Sequence, residues 1–320
     1  MSSVKIKTAG PLTTIQDKGR IEYQQSGMSV SGVMDDYSFR AANLLVGNPE
    51  TEAVLECTLL GPTMEFTGDA VFAVTGATAQ VKVNAQPSFM WRAIRVKAGD
   101  TVSFSMTTSG TRLYIAFAGG IDVPEVMGSK STYMKAKVGG FEGRNLKTGD
   151  ELKLSASEEV LSKTVLKEAS PRMIPSYYPE VTLRAVLGPQ DDCFTKAGIN
   201  TFFGTAYQVT SDSDRMGYRL EGAVIEHKKG GDIISDGIVI GAVQVPGNGK
   251  PIILMADRQT TGGYTKIATV ITADLPLVGQ MRPGNFIRFQ KVTVEKAQQA
   301  LREYADKIKI FKICMLSLPG

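Results

Sequence analysis

The sequence predicts a mainly β protein with a few helices, arranged as two β-barrel-like units. Short runs of strand-forming residues follow one another at 53–56, 63–66, 70–75, 80–83, 91–96, 101–106, 112–117 and 151–154, a density that suits a barrel or a sandwich. The chain holds 33 glycines, many beside Asp, Asn or Pro, which is the punctuation of tight turns. A third observation is a recurring word: a basic residue, any residue, Gly, Asp or Asn, then an alternating strand. It occurs at Lys97-Ala98-Gly99-Asp100, Lys147-Thr148-Gly149-Asp150 and Arg282-Pro283-Gly284-Asn285, so it falls in both halves and hints at two related units.

The length of 320 residues exceeds the usual single domain. Hydrophobic residues at 42% and charged residues at 21% are those of a globular protein. A net charge of +4, scattered along the chain, predicts no polyanion partner and no nucleic acid. Cys57, Cys193 and Cys314 lie far apart, so neither a disulfide framework nor a zinc site is indicated. The lone His227 rules out a histidine metal cluster and reads as a structural or surface residue. With no run as long as a membrane span and no apolar leader, the expectation is a cytoplasmic protein without membrane contact.

In order, Val4-Lys5-Ile6-Lys7-Thr8 alternates as a half-buried strand and breaks at Ala9-Gly10-Pro11. A polar loop follows, in which Gln16, Asp17 and Arg20 surround Gly19. It reads either as a contributor to a ligand site or as a surface turn. Ser31 to Asp36 can cap a helix with Phe39, Ala42, Leu45 and Val46 on its apolar face, ending at Gly47-Asn48-Pro49. The strand-rich stretch then continues to residue 155, giving a first domain of 1–155. Residues 156–179 gather Ser, Glu, Lys and Pro and read as a linker. A second domain follows at 180–292, then a helix at 293–309 with Val294, Ala297, Leu301, Tyr304 and Ile308 at helical spacing, and a tail at 310–320. Within the second domain, the Gly- and Ile-rich run 230–245, ending at Gln244-Val245-Pro246-Gly247-Asn248-Gly249-Lys250-Pro251, reads as a hairpin; its glycines do not make a phosphate loop, because Pro251 stands where Ser or Thr is required and no helix follows.

Two stretches of the second domain carry chemistry. Asp257-Arg258-Gln259-Thr260-Thr261-Gly262-Gly263-Tyr264 follows the apolar run 251–255, so a carboxylate, a guanidinium, an amide and two hydroxyls sit at a strand end before two glycines that can turn closely around a ligand. The alternative is a turn whose Asp and Arg pair with each other. Arg215 and Arg219 can hold a carboxylate or phosphate, or can pair internally with Asp212, Asp214 or Glu221.

Six words in order carry a whole-chain likeness: Leu12 to Arg20, Ala42 to Asn48, Gly119 to Pro124, Gly128 to Thr132, Asp214 to Leu220 and Asp257 to Tyr264. They resemble the KipA family, also called allophanate hydrolase subunit 2, the biotin-dependent carboxyltransferase-like domain or the C-type subunit of 5-oxoprolinase. The resemblance covers 4 to about 292 and departs at Thr265, where Pro is the usual residue. It implies a cyclophilin-like barrel and a complex with two further 5-oxoprolinase components, a KipI-like B-type subunit and an A-type subunit. The implied reaction is ATP-dependent hydrolysis of a cyclic amide, 5-oxo-L-proline, to L-glutamate, with ATP and a divalent cation supplied in the complex and the isolated chain inactive. The site expected is catalytic Asp257, Arg258 and Arg215, with substrate contacts from Gln259, Thr260, Thr261, Gly262, Gly263, Tyr264, Arg219, Gln244, Gln16, Asp17 and Arg20. No residue is assigned to a metal. Two alternatives stand beside it: half of a urea-carboxylase-type carboxyltransferase, with biotin arriving on another protein, and a non-catalytic antagonist of a KipI-like kinase inhibitor. Gly128-Ser129-Lys130-Ser131-Thr132 lacks the Ser-x-x-Lys spacing of a nucleophile and reads as a loop or a hydroxyl-rich turn.

Overall fold

The computed structural model describes residues 2–164 and 166–317. They form two compact units, the first from Met1–Arg20, Ser31–Tyr177 and Lys307–Gly320, the second from Ile21–Val30 and Tyr178–Asp306.

The first unit is built from β1 (Ser3–Thr8), β2 (Leu12–Gln16), β3 (Val54–Thr58), β4 (Thr63–Phe66), β5 (Ala70–Thr78), β6 (Val81–Val83), β7 (Gln86–Ser88), β8 (Ala93–Val96), β9 (Thr101–Phe104), β10 (Ser109–Phe117) and β11 (Glu151–Lys153). A six-stranded sheet runs β11-β1-β4-β9-β6-β7 and a five-stranded sheet β2-β3-β10-β5-β8. Val4 and Ile6 point inward from β1 while Lys5 and Lys7 face solvent, as their alternation predicts. Both sheets contribute to one core, in which Phe66 of one and Phe72 of the other stack at 5.8 Å. Helix α1 (Asp36–Leu45) starts where the sequence places it, with the Asp35 carboxylate accepting from the Ser38 N–H. The stretch expected to be a linker holds α2 (Glu158–Lys163) and buries Leu161 and Ala169. It is held by backbone bonds from Ala93 to the Lys167 carbonyl and from Ala169 to the Trp91 carbonyl, pairings that no local sequence pattern announces.

The second unit contains β12 (Glu180–Leu187), α3 (Lys196–Gly204), β13 (Ala206–Val209), β14 (Gly217–Glu221), β15 (Asp232–Gly237), β16 (Ala242–Val245), β17 (Ile252–Leu254), β18 (Thr261–Val270), α4 (Leu275–Gly279), β19 (Phe286–Lys291) and the start of α5 (Val294–Ser317). The sheet order is β12-β19-β13-β14-β17-β16-β18-β15, and an additional β12–β18 pairing closes seven of these strands into a barrel. Its interior follows the registers around the ring: Leu183 faces Phe289, Tyr207 faces Ile287, Val209 faces Leu220, Tyr218 faces Ile253, Val243 faces Ala268, and Ala185 faces Val270. All of these side chains are buried.

Three expectations change. The segment from 230 to Pro251 forms its hairpin only at its end, where β16 pairs antiparallel with β17; β15 does not pair with β16, and both flank β18. The loop 257–264 is half strand, since β18 begins at Thr261, and neither Gly262 nor Gly263 is among the residues at positive φ. The final helix runs to Ser317, through most of the expected tail, because Phe311 and Met315 continue its buried stripe from Ile308; residues 318–320 lie outside the described residues.

Candidate functional site

Strand register decides what faces outward from the barrel. With Tyr218, Ile253 and Val243 inside, their neighbours Arg219, Ile252 and Gln244, which are in register with one another across β14, β17 and β16, must share the outer face. A register shift between Val243 and Gln244 in the β16–β18 pairing reverses the parity of β18 and brings Tyr264 to that same face. There the wall bounds a cavity of about 420 Å3, within the range of small-molecule sites. Arg219, Gln244, Gln259 and Tyr264 line it, together with Asp212, Asp214, Met216, Asn248, Ile252 and Leu254. Beneath it Leu254 packs with Ile238 and Ala242, giving the polar groups a rigid apolar floor.

Two of those groups lack hydrogen-bond partners among the described residues. Gln244 is 1% exposed, and its buried Nε2 donates to nothing; the buried Oε1 of Gln259 accepts from nothing. Such atoms are few in native proteins. Both amides converge over Gly262: a Cβ there would stand 2.8 Å from Gln244 Nε2, 3.3 Å from Gln259 Nε2 and 2.6 Å from Ile238 Cδ1. Close approach of these side-chain ends, rather than a special φ, is what glycine accommodates at this position. Among the described residues no acidic partner takes the Arg219 guanidinium: Asp214 accepts from the Met216 and Gly217 N–H groups, and Glu221 pairs with Lys250.

The remaining expected residues are placed elsewhere. Arg215 and Asp257 form a two-point ion pair, Nε to Oδ2 and Nη2 to Oδ1 at 3.0 Å each, with side chains 4% and 11% exposed. The internal-pairing alternative therefore holds for Asp257, with Arg215 rather than Arg258 as its partner. Arg258 is buried and donates to the Ile238 and Met255 carbonyls and to Gln24 Oε1, while Ser29 Oγ donates to its carbonyl. It anchors the 21–30 segment to the barrel, and burial pulls its guanidinium down to about 10, still charged at neutral pH. Thr260 offers its carbonyl to Ile238 N–H, and Thr261 and Gly262 pair with Gly237 and Asp236 in the β15–β18 ladder. Gly263 lies within β18 next to the Ile233 carbonyl.

Gln16, Asp17 and Arg20 belong to the first unit, where they are buried rather than forming a surface turn. Asp17 accepts from Ser129 Oγ, Ser131 Oγ, Lys130 N–H and Gly19 N–H at 2.5–2.8 Å. Arg20 donates to the carbonyls of Val126 and Ser131, and Gln16 to that of Thr132. This binds the Ser129–Ser131 hydroxyls into a loop clasp, in keeping with their reading as a hydroxyl-rich turn. Asp17→Ala leaves four donors without their acceptor and is expected to cost about 2–4 kcal/mol in chemical denaturation; an unchanged midpoint would contradict the clasp. His227 is structural, its Nε2 3.1 Å from the Val245 carbonyl and 3.0 Å from Thr265 Oγ1, its ring against Phe194.

Met216, Asn248, Ile252 and Leu254 were missed by sequence reasoning. The alternation of Gly217-Tyr218-Arg219-Leu220-Glu221 shows which residues share a face, but only cross-strand register joins them to Ile252 and Gln244. Among the described residues, no group of three or more His, Cys, Asp or Glu is arranged to hold a metal ion, and no helix is long and apolar enough to cross a membrane.

Residues 26–291, which include the closed barrel and much of the two-sheet unit, match the model of the carboxyltransferase domain, subdomain A and B. The chain belongs to that family. It is 39% identical over 300 residues to the 5-oxoprolinase C-subunit of Escherichia coli (strain K12), covering 94% of each chain, and 37% identical to that of Haemophilus influenzae, covering 92% of this chain and 94% of the relative. The solved Kluyveromyces lactis urea carboxylase superposes over 97% of this chain with a TM-score of 0.90 at 34% identity; the match takes up 29% of that longer chain.

Proposed function

We propose that the chain is the C-type subunit of an ATP-dependent 5-oxoprolinase, acting with a KipI-like B-type subunit and an A-type subunit. The observation that carries this is coverage: the chain spans 94% of both 5-oxoprolinase relatives, whereas it matches under a third of the urea carboxylase. The reaction adds water across the C–N bond of the lactam, producing the carboxylate and ammonium of glutamate, with ATP converted to ADP and phosphate. In this reading the chain holds and orients the lactam in its outer-wall cavity. The cavity is a poor fit for a triphosphate, since two carboxylates, Asp212 and Asp214, line it beside the single guanidinium of Arg219; nucleotide and its cation are assigned to the partner subunits.

The second reading, a carboxyltransferase half, is favoured by the urea carboxylase superposition. One reconstitution separates the two. The chain, mixed with its A-type and B-type partners, is expected to release glutamate from 5-oxoproline only when ATP is present, and a mixture lacking the chain is expected to release none. Full glutamate release without the chain would remove the proposal; carboxyl transfer from carboxybiotin to urea by the same mixture would replace it.

A further inference from the structure

We propose that the bulged edge strand β15, with Ile234 at its crest, is where the nucleotide-bearing partner subunit seats on the rim of the outer-wall cavity. This rests on the 5-oxoprolinase reading and names the surface and the partner chemistry that reading leaves open. β15 stands last in its sheet order and, among the described residues, pairs with β18 alone. Its ladder is irregular: Asp232 faces Tyr264 and Asp236 faces Gly262, so four steps along β15 span two along β18. A strand with surplus residues between two pairings must bow away from its neighbour. Ile234, midway between them, is 94% exposed. Such a bulge blunts an edge against regular strand addition, so the side chain it holds out, rather than the backbone, is what a partner can take.

The crest lies beside the cavity. A Cβ on Gly263 would stand 3.2 Å from the Ile233 carbonyl and 3.7 Å from Ser235 Oγ, and the next residue of β18, Tyr264, is exposed and belongs to the cavity lining. With the lactam in this cavity and ATP on a partner, coupling the two requires the nucleotide-bearing subunit to lie against this rim. Charge describes the surface it presents. Asp232 has no ion-pair partner among the described residues, and Asp212 and Asp214 line the cavity, while Asp236 is paired with Lys266 at 3.0 Å. These carboxylates oppose a second copy of the chain. Two β15 strands set antiparallel on Ile234 would bring Asp232 against the other copy's Asp236 at both ends. They favour a basic surface, with an apolar pocket for the isoleucine edged by Lys or Arg.

The test is the affinity of the full chain for its A-type and B-type subunits, measured by biolayer interferometry for the wild type, Ile234→Ala and Asp232→Lys. Ile234→Ala is expected to weaken assembly by about tenfold to a hundredfold, as loss of a pocketed anchor does. Thermal unfolding of the isolated chain is expected to stay unchanged, since this side chain packs little against its own fold. Asp232→Lys is expected to slow association, by a factor that shrinks as salt is raised. Glutamate release by Ile234→Ala is expected to return to the wild-type rate when the partners are in excess. Wild-type affinity in Ile234→Ala, or a rate that stays low at saturating partner, overturns the docking point; unchanged association in Asp232→Lys overturns the basic partner surface. If Ile234→Ala assembles and releases glutamate as the wild type does, the docking point falls and the 5-oxoprolinase reading stands. If Ile234→Ala weakens a complex whose wild type releases no glutamate, the docking point stands and that reading falls. A wild-type chain that binds neither subunit overturns both.

Discussion

Asp257→Ala is expected to destabilise the second unit by about 3–5 kcal/mol, because it leaves the Arg215 guanidinium buried without the carboxylate that both its Nε and Nη2 donate to. The pair joins the turn that precedes β14 to the one that follows β17, and backbone bonding from Asp257 N–H to the Arg215 carbonyl joins the same two turns. The loss is therefore expected to show as a lower denaturation midpoint. Activity is expected to fall only in proportion to the folded fraction. An Asp257→Ala protein of wild-type stability that has lost all turnover would instead return Asp257 to a chemical role.

Gly262→Ala is expected to do the reverse, with a small loss of stability and a large loss of function. The added methyl meets the flexible ends of Ile238 and Gln244 at 2.6 and 2.8 Å, so the fold can yield at a cost of about 1–3 kcal/mol. It yields by moving the carboxamides that the cavity holds in place. A displacement of about 1 Å at a positioning group costs on the order of a hundredfold in turnover. Steady-state kinetics of the reconstituted complex beside thermal unfolding of the same protein measure the two effects together. A variant with normal turnover would show that the amides over Gly262 are not used.

The fold was largely legible in the sequence because the interior of a barrel is written locally. Ile287 and Phe289 alternate with Phe286, Arg288 and Gln290, and Val4 and Ile6 with Lys5 and Lys7, so each strand declares its inner face. Pairing is not written locally, and the readings that failed depended on it. β15 and β16 stand close in sequence yet do not pair with each other: both flank β18, and the hairpin of this segment is made by β16 with β17. The site followed the same division. Arg219, Gln244, Gln259 and Tyr264 could be singled out by residue type, and the structure brings these four together around one cavity. Asp257, Arg258, Asp17 and Arg20 have the same polar character in sequence, but burial and partners separate them into an ion pair, an anchor and a clasp. Nothing in residue type distinguishes a polar group that holds the chain from one whose hydrogen bonds are left open. The distinction lies in whether its hydrogen bonds are already made.

The central claim, that the outer wall of the barrel is where this chain meets its ligand, is tested most directly through Met216, the methionine that lines the cavity. With methionine methyl groups labelled with 13C and Met216 assigned by its loss in Met216→Leu, 5-oxo-L-proline is titrated into the chain bound to its partner subunits. The account predicts a saturable shift of the Met216 methyl signal that is lost in Gln244→Leu. A saturable shift confined to other methionines, with Met216 unmoved, would place the ligand elsewhere and contradict it.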